Sequence, residues 1–239
     1  MKNILLLFFL YCNCFGQNPP IAIKIDAITS FDSIPNERKF TINYSIENLT
    51  DTAVYFFLNP NALVSNSSAS MSRFVSYKIF QDKEAIDIDN VFGNRKSERF
   101  QEELKKAKTD AEKKIIIENH LKEMKIDVAL EIKNAKEDEN YFWKQQNKEL
   151  LEDRVTLNPN QKKSFSKILI WQKKRYFKID DVEYYIDEII PHYFQLSINL
   201  MKEEFKDLLS NEEFLKIMND KSFVKGWFTS NKMEINFRE

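Results

Sequence analysis

Residues 40–47 read F-T-I-N-Y-S-I-E, in which a large apolar side chain occupies every second position. This period of two places apolar and polar side chains on opposite faces of an extended chain, so the segment is predicted to be a β-strand with one buried face. Turn-forming Asn, Thr and Asp residues follow at 48–52, and an aromatic, β-branched run follows at 53–58. We therefore predict that the two segments form a β-hairpin.

The same patterning predicts strands elsewhere in the chain. Pro191 precedes one of them, which favours an edge position or a strand start there. Residues 59–72 contain Pro60 and a Ser- and Asn-rich centre, which predicts a loop. Residues 176–190 fit either a turn of helix or an irregular crossover. The further strands are predicted at 21–28, 73–81, 85–88, 154–157, 164–171 and 193–199, with a closing hairpin of 223–228 and 233–237.

Residues 94–153 differ in character from the rest of the chain. Between 94 and 154, fifteen basic and fifteen acidic side chains are interspersed, and glycine and proline are absent. The spacing of Thr109 and Glu112 is that of a capping box, which predicts a helix start after a break at Ala107. Apolar residues then recur at intervals of three and four, which predicts one helix face carrying Ile117, Leu121, Met124, Val128, Ile132 and Ala135.

A third short helix is predicted at 138–152, and a second capping box at Ser210 and Glu213 predicts a helix near the C-terminus. Short turns between the strands favour antiparallel sheets over βαβ crossovers. We therefore predict a mainly β protein with an α insertion, in which a charged helical hairpin at 94–153 separates the halves 18–93 and 154–239 of one antiparallel β-sandwich. The alternative is two small domains joined by the helices, although neither half contains enough strands for two stable sheets.

The first seventeen residues have the pattern of a secretory signal peptide: Lys2, an apolar run at 4–11 and the small residue Gly16. The run is eight residues long, too short to span a bilayer, which takes roughly twenty. We therefore expect export to the periplasm or cell envelope, or secretion. Cleavage near Gly16 would remove Cys12 and Cys14, and a lipid anchor at Cys14 is the open alternative.

Composition narrows the function classes. The chain has 36 basic and 37 acidic residues and a formal net charge of -1, so no overall field attracts nucleic acid. Its 3 glycines are too few for a glycine-rich phosphate loop. With both cysteines in the signal segment, the mature chain would offer no thiol for a disulfide or for zinc. No cofactor is predicted.

Three stretches resemble immunoglobulin-like domains in exported proteins of the bacterial cell envelope: Y-S-I-E-N-L-T-D-T at 44–52, L-N-P-N-Q at 157–161 and G-W-F-T-S-N at 226–231. The resemblance implies an immunoglobulin-like antiparallel β-sandwich, a scaffold used for adhesion, assembly and ligand binding. It supplies no catalytic residue, and a fold does not by itself fix a function.

Several groups of residues are candidates for chemistry or contact. Paired carboxylates could bind a divalent cation or serve glycoside hydrolysis, although a solvated loop is the ordinary interpretation of such a group. Exposed aromatic residues could contact a partner or stack on sugar rings, although most aromatic residues pack in cores. The acidic group consists of Asp180, Asp181, Glu183, Asp187 and Glu188, and the aromatic candidates are Phe142, Trp143 and Trp227.

Other patterns predict no site. Asp87, Asp89 and Glu98 have calcium-loop spacing, but Val91 stands where an oxygen ligand is needed and the glycine comes one place late, at 93. The 2 histidines, His120 on the charged helix facing solvent and His192 at a strand start, have no nucleophile motif near them. No catalytic residue and no metal site are therefore predicted.

The sequence thus predicts an exported, non-catalytic binding protein whose helical insertion contacts a protein partner. A long insertion is the element most free to vary, and its apolar stripe needs a surface to cover it. The alternative is an envelope protein that binds or cleaves carbohydrate through aromatic residues and the 180–188 acidic group.

Overall fold

The computed structural model describes residues 19–35, 37–65, 72–86, 91–93, 100, 103–173, 177–179, 182–184, 186 and 189–238. The predicted signal peptide, with Cys14, lies outside these residues. The protein is mainly β, with 43% strand and 30% helix, which confirms the predicted combination of sheets and helices.

Sheet I contains four antiparallel strands in the order β1-β2-β9-β7. Strand β2 contains the alternating segment, and its apolar residues from Phe40 to Ile46 are buried as predicted. β9 pairs with β2 from Glu37 opposite Gln172 to Glu47 opposite Lys162, so strands from both sides of the insertion build this sheet. The strands are β1 (Ile21–Ile34), β2 (Glu37–Asn48), β7 (Phe92–Gly93) and β9 (Lys162–Gln172).

Sheet II has the order β13-β12-β5-β4, with β14 also on β12 and β6 also on β5. Its central strand β12 begins directly after Pro191, as a strand start and not an edge. The pairing of β4 with β5 is parallel. The prediction of purely antiparallel sheets is therefore wrong for sheet II. The strands are β4 (Asn59–Ser65), β5 (Phe74–Gln81), β6 (Glu84–Ile86), β12 (His192–Leu200), β13 (Gly226–Thr229) and β14 (Met233–Ile235).

Buried side chains of both sheets form one apolar core. Phe40 and Tyr44 come from sheet I, Tyr77 and Phe194 from sheet II, and the stacked rings of Tyr77 and Phe194 lie 5.2 Å apart. Phe237 follows β14 and contacts Phe40 edge-on at 5.2 Å. Burial of this surface is the main force holding the two sheets together.

The predicted closing hairpin is wrong, because β13 and β14 lie end to end along β12 and do not pair with each other. Ser230 continues the ladder between them: its amide donates to Leu196 O at 2.9 Å, and its Oγ accepts from Leu196 N at 2.9 Å. Asn231 turns to sheet I, where its side chain accepts from Ile25 N at 2.8 Å and donates to Ile25 O at 3.3 Å. These side chains hold the segment extended, so it does not reverse.

The predicted loop at 59–72 is also partly wrong, because β4 occupies its first half. Pro60 is compatible with this strand because β4 is the edge of sheet II, where a missing amide hydrogen costs no ladder bond. The ambiguous region 176–190 contains a two-stranded antiparallel ribbon of β10 (Phe177–Ile179) and β11 (Val182–Tyr184).

The hairpin predicted for 40–47 and 53–58 is wrong as well. β3 (Val54–Phe57) does not return along β2, but pairs antiparallel with β8 (Arg154–Leu157) in a separate ribbon. The β2–β9 pair of sheet I thus bends at residues 48–53 and 158–161 and continues as the β3–β8 ribbon. The turn-forming residues at 48–52 make a corner and not a reversal.

Asn48 holds this corner. Its side chain is fully buried, and its Nδ2 donates to Thr52 O at 2.8 Å, Asn158 O at 3.0 Å and Leu157 O at 3.2 Å. Its Oδ1 accepts from Thr50 N at 2.9 Å and from Thr50 Oγ1 at 2.7 Å. One amide side chain therefore satisfies main-chain groups of both bending strands.

The helices lie in two groups. The insertion contains a helical turn at 103–106, then α1 (Asp110–Glu123), α2 (Val128–Glu137) and α3 (Tyr141–Glu152). A 3-10 helix (Lys202–Phe205) and α4 (Asn211–Asn219) follow β12. Both predicted capping boxes are confirmed, at Thr109 with Glu112 and at Ser210 with Glu213.

The single helix face predicted from Ile117 to Ala135 is wrong, because the helix ends between them. Lys125 adopts a left-handed φ of 58°, and Asp127 caps a new helix by accepting from Leu130 N at 3.1 Å. An Asp at a helix start accepts a hydrogen bond from an amide that would otherwise be unpaired. This stabilisation starts a new helix at 128, even though the apolar spacing continues across the break.

An ion-pair cluster fixes the C-terminal segment to sheet I. Buried Arg38 donates from Nε and Nη2 to both oxygens of Asp32, at 2.6 and 2.8 Å, and from Nη1 to the carbonyl oxygens of Asn236 and Arg238. Lys173 Nζ lies 2.9 Å from the same carboxylate. Hydrogen bonds from Arg38 and Lys173 hold the pKa of Asp32 well below its ordinary value of 3.8.

Asn48→Ala should lower the free energy of unfolding by about 3 kcal/mol, because it leaves several buried main-chain groups without a partner. Urea unfolding followed by circular dichroism measures this change. Asn43→Ala, which removes a partly exposed amide from the same strand, is the matched control and should change stability by about 0.5 kcal/mol or less. Equal losses in the two variants would contradict the role of Asn48.

Asp32→Asn should destabilise the protein more at pH 7 than at pH 3. Because the folded-state pKa of Asp32 is depressed, its contribution is present above pH 3.8 and is lost as the pH falls toward the folded-state value. Urea unfolding of wild type and variant at both pH values measures the difference. An equal effect of Asp32→Asn at both pH values would contradict the ion pair.

Candidate functional site

The candidate site is the α1–α2 arm, residues 109–137. Neither α1 nor α2 has a buried residue. Seven large apolar side chains around the arm are exposed instead: Ile115, Ile117, Met124, Ile126, Val128, Leu130 and Ile132. Such a concentration of exposed apolar residues marks contact surfaces in folded proteins.

The side of α2 that faces α3 carries polar residues. Tyr141 Oη donates to Glu131 Oε1 at 3.3 Å and accepts from Asn134 Nδ2 at 3.3 Å, whereas Lys133, Lys136 and Glu137 are exposed. On its other sides, Val128, Leu130 and Ile132 are 40%, 51% and 51% exposed. An amphipathic helix that serves only its own fold turns its apolar side inward, so this orientation needs another explanation.

A groove of about 550 Å³ lies at the start of the arm. One wall is the helical turn at 103–106 and the residues after it, and the other is α1 with Ile115 and Ile116. Glu112 also lines the groove, and its Oε2 accepts from Lys108 N at 2.6 Å. Farther along α1, His120 stacks on Phe100 with ring centroids 4.0 Å apart, so it is partly covered and not fully solvent-facing as predicted.

Helix α3 joins the arm to the rest of the protein through a second apolar cluster. Leu150 is fully buried there against the β3–β8 ribbon, the 3-10 helix and α4. Asn147 Nδ2 donates to Leu208 O at 2.9 Å, and Arg73 pairs with Asp153, the residue after α3, at 2.6 Å. The cluster comprises Tyr55, Phe57, Leu150, Phe205, Leu209, Ile217 and Phe223.

Lys202 and Asp220 hold this second cluster together. The ammonium group of buried Lys202 donates to Asp220 O at 2.6 Å and Ile217 O at 2.9 Å, at the end of α4. Burial lowers the pKa of Lys202. The Asp220 carboxylate accepts from Tyr55 Oη at 2.9 Å, and burial together with this bond raises the pKa of Tyr55 to about 12.

The structure separates the residues that the sequence grouped as contact candidates. Phe142 is 59% exposed on α3, and Trp143 beside it is partly covered because its Nε1 donates to Asp207 O at 2.9 Å. Trp227 is 52% exposed on β13 of sheet II. Asp180 and Asp181, with Asp187 and Glu188, lie outside the described residues, and Glu183 is described only as part of β11.

The remaining candidates carry no site chemistry in the described structure. His192 starts β12 as predicted and is buried against Phe237, and Trp171 is buried in the core. Asp87, Asp89 and Glu98 lie outside the described residues. Among the residues that the structure describes, no group of three or more His, Cys, Asp or Glu side chains could hold a metal ion.

Sequence reasoning missed Ile126 and Leu130, which are exposed at the junction and on α2. The signal that could have found them is Asp127, a good helix-capping residue that marks a new helix and changes which residues share a face.

Comparison with protein-family models, curated proteins and solved structures finds no match to this chain. Within the described part of the chain, no helix has the length and apolar character needed to cross a membrane. The immunoglobulin-like resemblance therefore stays a prediction.

Lys202→Met should lower the free energy of unfolding by about 2 kcal/mol, because the buried carbonyl groups at the end of α4 lose their donor. Lys206→Met, at an exposed position four residues later, is the matched control and should have little effect. Thermal unfolding followed by circular dichroism measures both. A Lys202→Met protein as stable as the control would show that the ammonium group does not hold this cluster.

Proposed function

We propose that this protein is a non-catalytic binding protein, exported to the bacterial cell envelope, that contacts a partner protein through its α1–α2 arm. The observation that carries the proposal is that α2 turns Glu131 and Asn134 toward α3 and leaves Leu130 and Ile132 half-exposed to solvent. Exposing these side chains is unfavourable unless a partner covers them.

The charge of the arm supports a protein partner rather than a polyanion. Residues 109–137 carry six lysines and seven acidic side chains, so the arm has no cationic stripe to follow a phosphate backbone. Apolar residues surrounded by charges of both signs are typical of protein contact surfaces, where the apolar centre supplies affinity and the charged rim supplies specificity.

The anchoring of the arm supports the same function. α3 is tied to the β3–β8 ribbon and α4 by Leu150, Asn147 and Trp143, so the arm projects from a fixed base. A rigid base reduces the entropy that a partner must remove on binding. Export is part of this proposal and is supported by the signal-peptide pattern. An immunoglobulin-like β-sandwich scaffold is also part of it and is supported by the core that the two sheets share.

Leu130→Glu in the full chain should abolish partner binding without changing the fold. The immobilised protein is incubated with a cell-envelope extract, and bound proteins are quantified by mass spectrometry. We expect a specific protein to bind wild type and to be depleted about tenfold or more on Leu130→Glu, since a charge placed in an apolar contact must be desolvated.

Leu215→Glu is the matched control, because Leu215 is also a half-exposed leucine on a helix, but lies on α4 outside the arm. It should retain the partner. Light scattering on the purified protein tests whether the partner is a second copy of the chain, in which case Leu130→Glu alone would yield monomers. Equal partner recovery on the two variants would contradict the proposal.

A further inference from the structure

The outer face of sheet II is a second candidate binding surface. Residues of β5, β12 and β13 alternate between the core and this face, since Val75, Leu196 and Phe228 point into the core. The strand register therefore fixes which outward side chains are neighbours, because residues directly opposite each other share a face.

Aromatic residues occupy both ends of this face. At one end, half-exposed Trp227 lies opposite Asn199. At the other end, Tyr193 lies opposite Phe80, and both are partly exposed. Lys232 Nζ sits 3.3 Å from the Phe80 ring centroid and covers one face of that ring, so Tyr193 is the main stacking ring at this end. Asn199 and Tyr193 are six residues apart on β12, so the two ends are separated by about 20 Å.

Between the two ends the side chains are polar. Ser197 lies opposite Ser76 on one neighbour and Thr229 on the other, and Ser197 is itself buried, with its hydroxyl oxygen 2.7 Å from that of Ser76. Gln195 and Lys78 form the next opposed pair. The large rings at the ends and the smaller residues at the centre define a strip along β12, called the trough below, on which Ser76, Gln195 and Thr229 present hydroxyl and amide groups at least partly to solvent.

We propose that this trough, from Trp227 to Tyr193 and Phe80, binds a linear oligosaccharide. Sugar rings present a face of C–H bonds that stacks on the electron-rich face of an aromatic ring, and a rim of hydroxyl groups that pairs with amides and hydroxyls. The aromatic rings at the ends of the trough offer stacking contacts, and the polar groups along its length offer hydrogen bonds. Its length of about 20 Å suits a chain of several sugar units rather than a single one.

The observations favour a saccharide over other elongated ligands. A nucleic acid would need several cations along the strand, and here Lys78 and Lys232 are accompanied by Glu234. A protein partner would favour a continuous apolar centre, whereas the centre of this face consists of Ser76, Ser197 and Thr229. This surface shares no residue with the α1–α2 arm, so the two proposals can succeed or fail separately.

The test is titration of the full chain with cellohexaose, chitohexaose and a galacturonic acid hexamer at up to millimolar concentrations. Binding is followed by two-dimensional amide and indole NMR. We expect at least one hexasaccharide to shift the Trp227 indole signal together with amides of β12 and β5. Trp227→Ala should weaken this binding about tenfold or more, the loss expected when a large aromatic contact is removed.

Phe142→Ala is the matched control, because it removes an equally exposed aromatic ring from α3 and should leave binding unchanged. Trp227→Leu keeps an apolar side chain on β13 without the flat ring, so it should also lose binding even if Trp227→Ala folds poorly. The proposal is overturned if none of the three hexasaccharides binds, if binding survives Trp227→Leu, or if only a single-stranded oligonucleotide binds these residues.

Discussion

The bend at Asn48 is the constraint on which the rest of the architecture depends. One antiparallel pair, β2 with β9, contributes to the core shared by the two sheets and then turns out of sheet I to become the β3–β8 ribbon. Only a side chain with both donors and an acceptor can satisfy the main-chain groups that lose their ladder partners at this corner. Asn48 does so while fully buried.

The ribbon beyond the corner gives the helices a place to pack. Its outer residues Tyr55 and Phe57 join the second apolar cluster, in which they meet Leu150 near the end of the insertion and residues of the segment after β12. α3 is fixed there, whereas α1 and α2 extend from it with their apolar residues exposed. The protein thus separates a well-packed body from an arm that has surface available for contact, and the outer face of sheet II is a second, independent surface.

The positions of the strands and helices were largely predictable from the sequence, but which strands pair with each other was not. Alternation at 40–47 and the capping boxes at Thr109 and Ser210 depend on local periodicity and local hydrogen bonds, and all three were confirmed. The two predicted hairpins failed because turn-forming residues also build corners and extended connections. At Asn48 and Ser230 their side chains bond to strands far along the chain, which local sequence does not reveal.

For the candidate site, the sequence by itself determined that an apolar, charge-balanced helical segment interrupts a β-rich chain, because composition and spacing are properties of neighbouring residues. Only the tertiary structure decided which side of each helix faces solvent, since that depends on how Tyr141 packs against α2 and where Leu150 is held by distant elements. The sequence also did not distinguish the surroundings of Trp143 from those of Trp227, because both were candidates for an exposed contact. The first is tied to Asp207, and the second lies on the outer face of sheet II, which forms only when β13, β12 and β5 lie side by side.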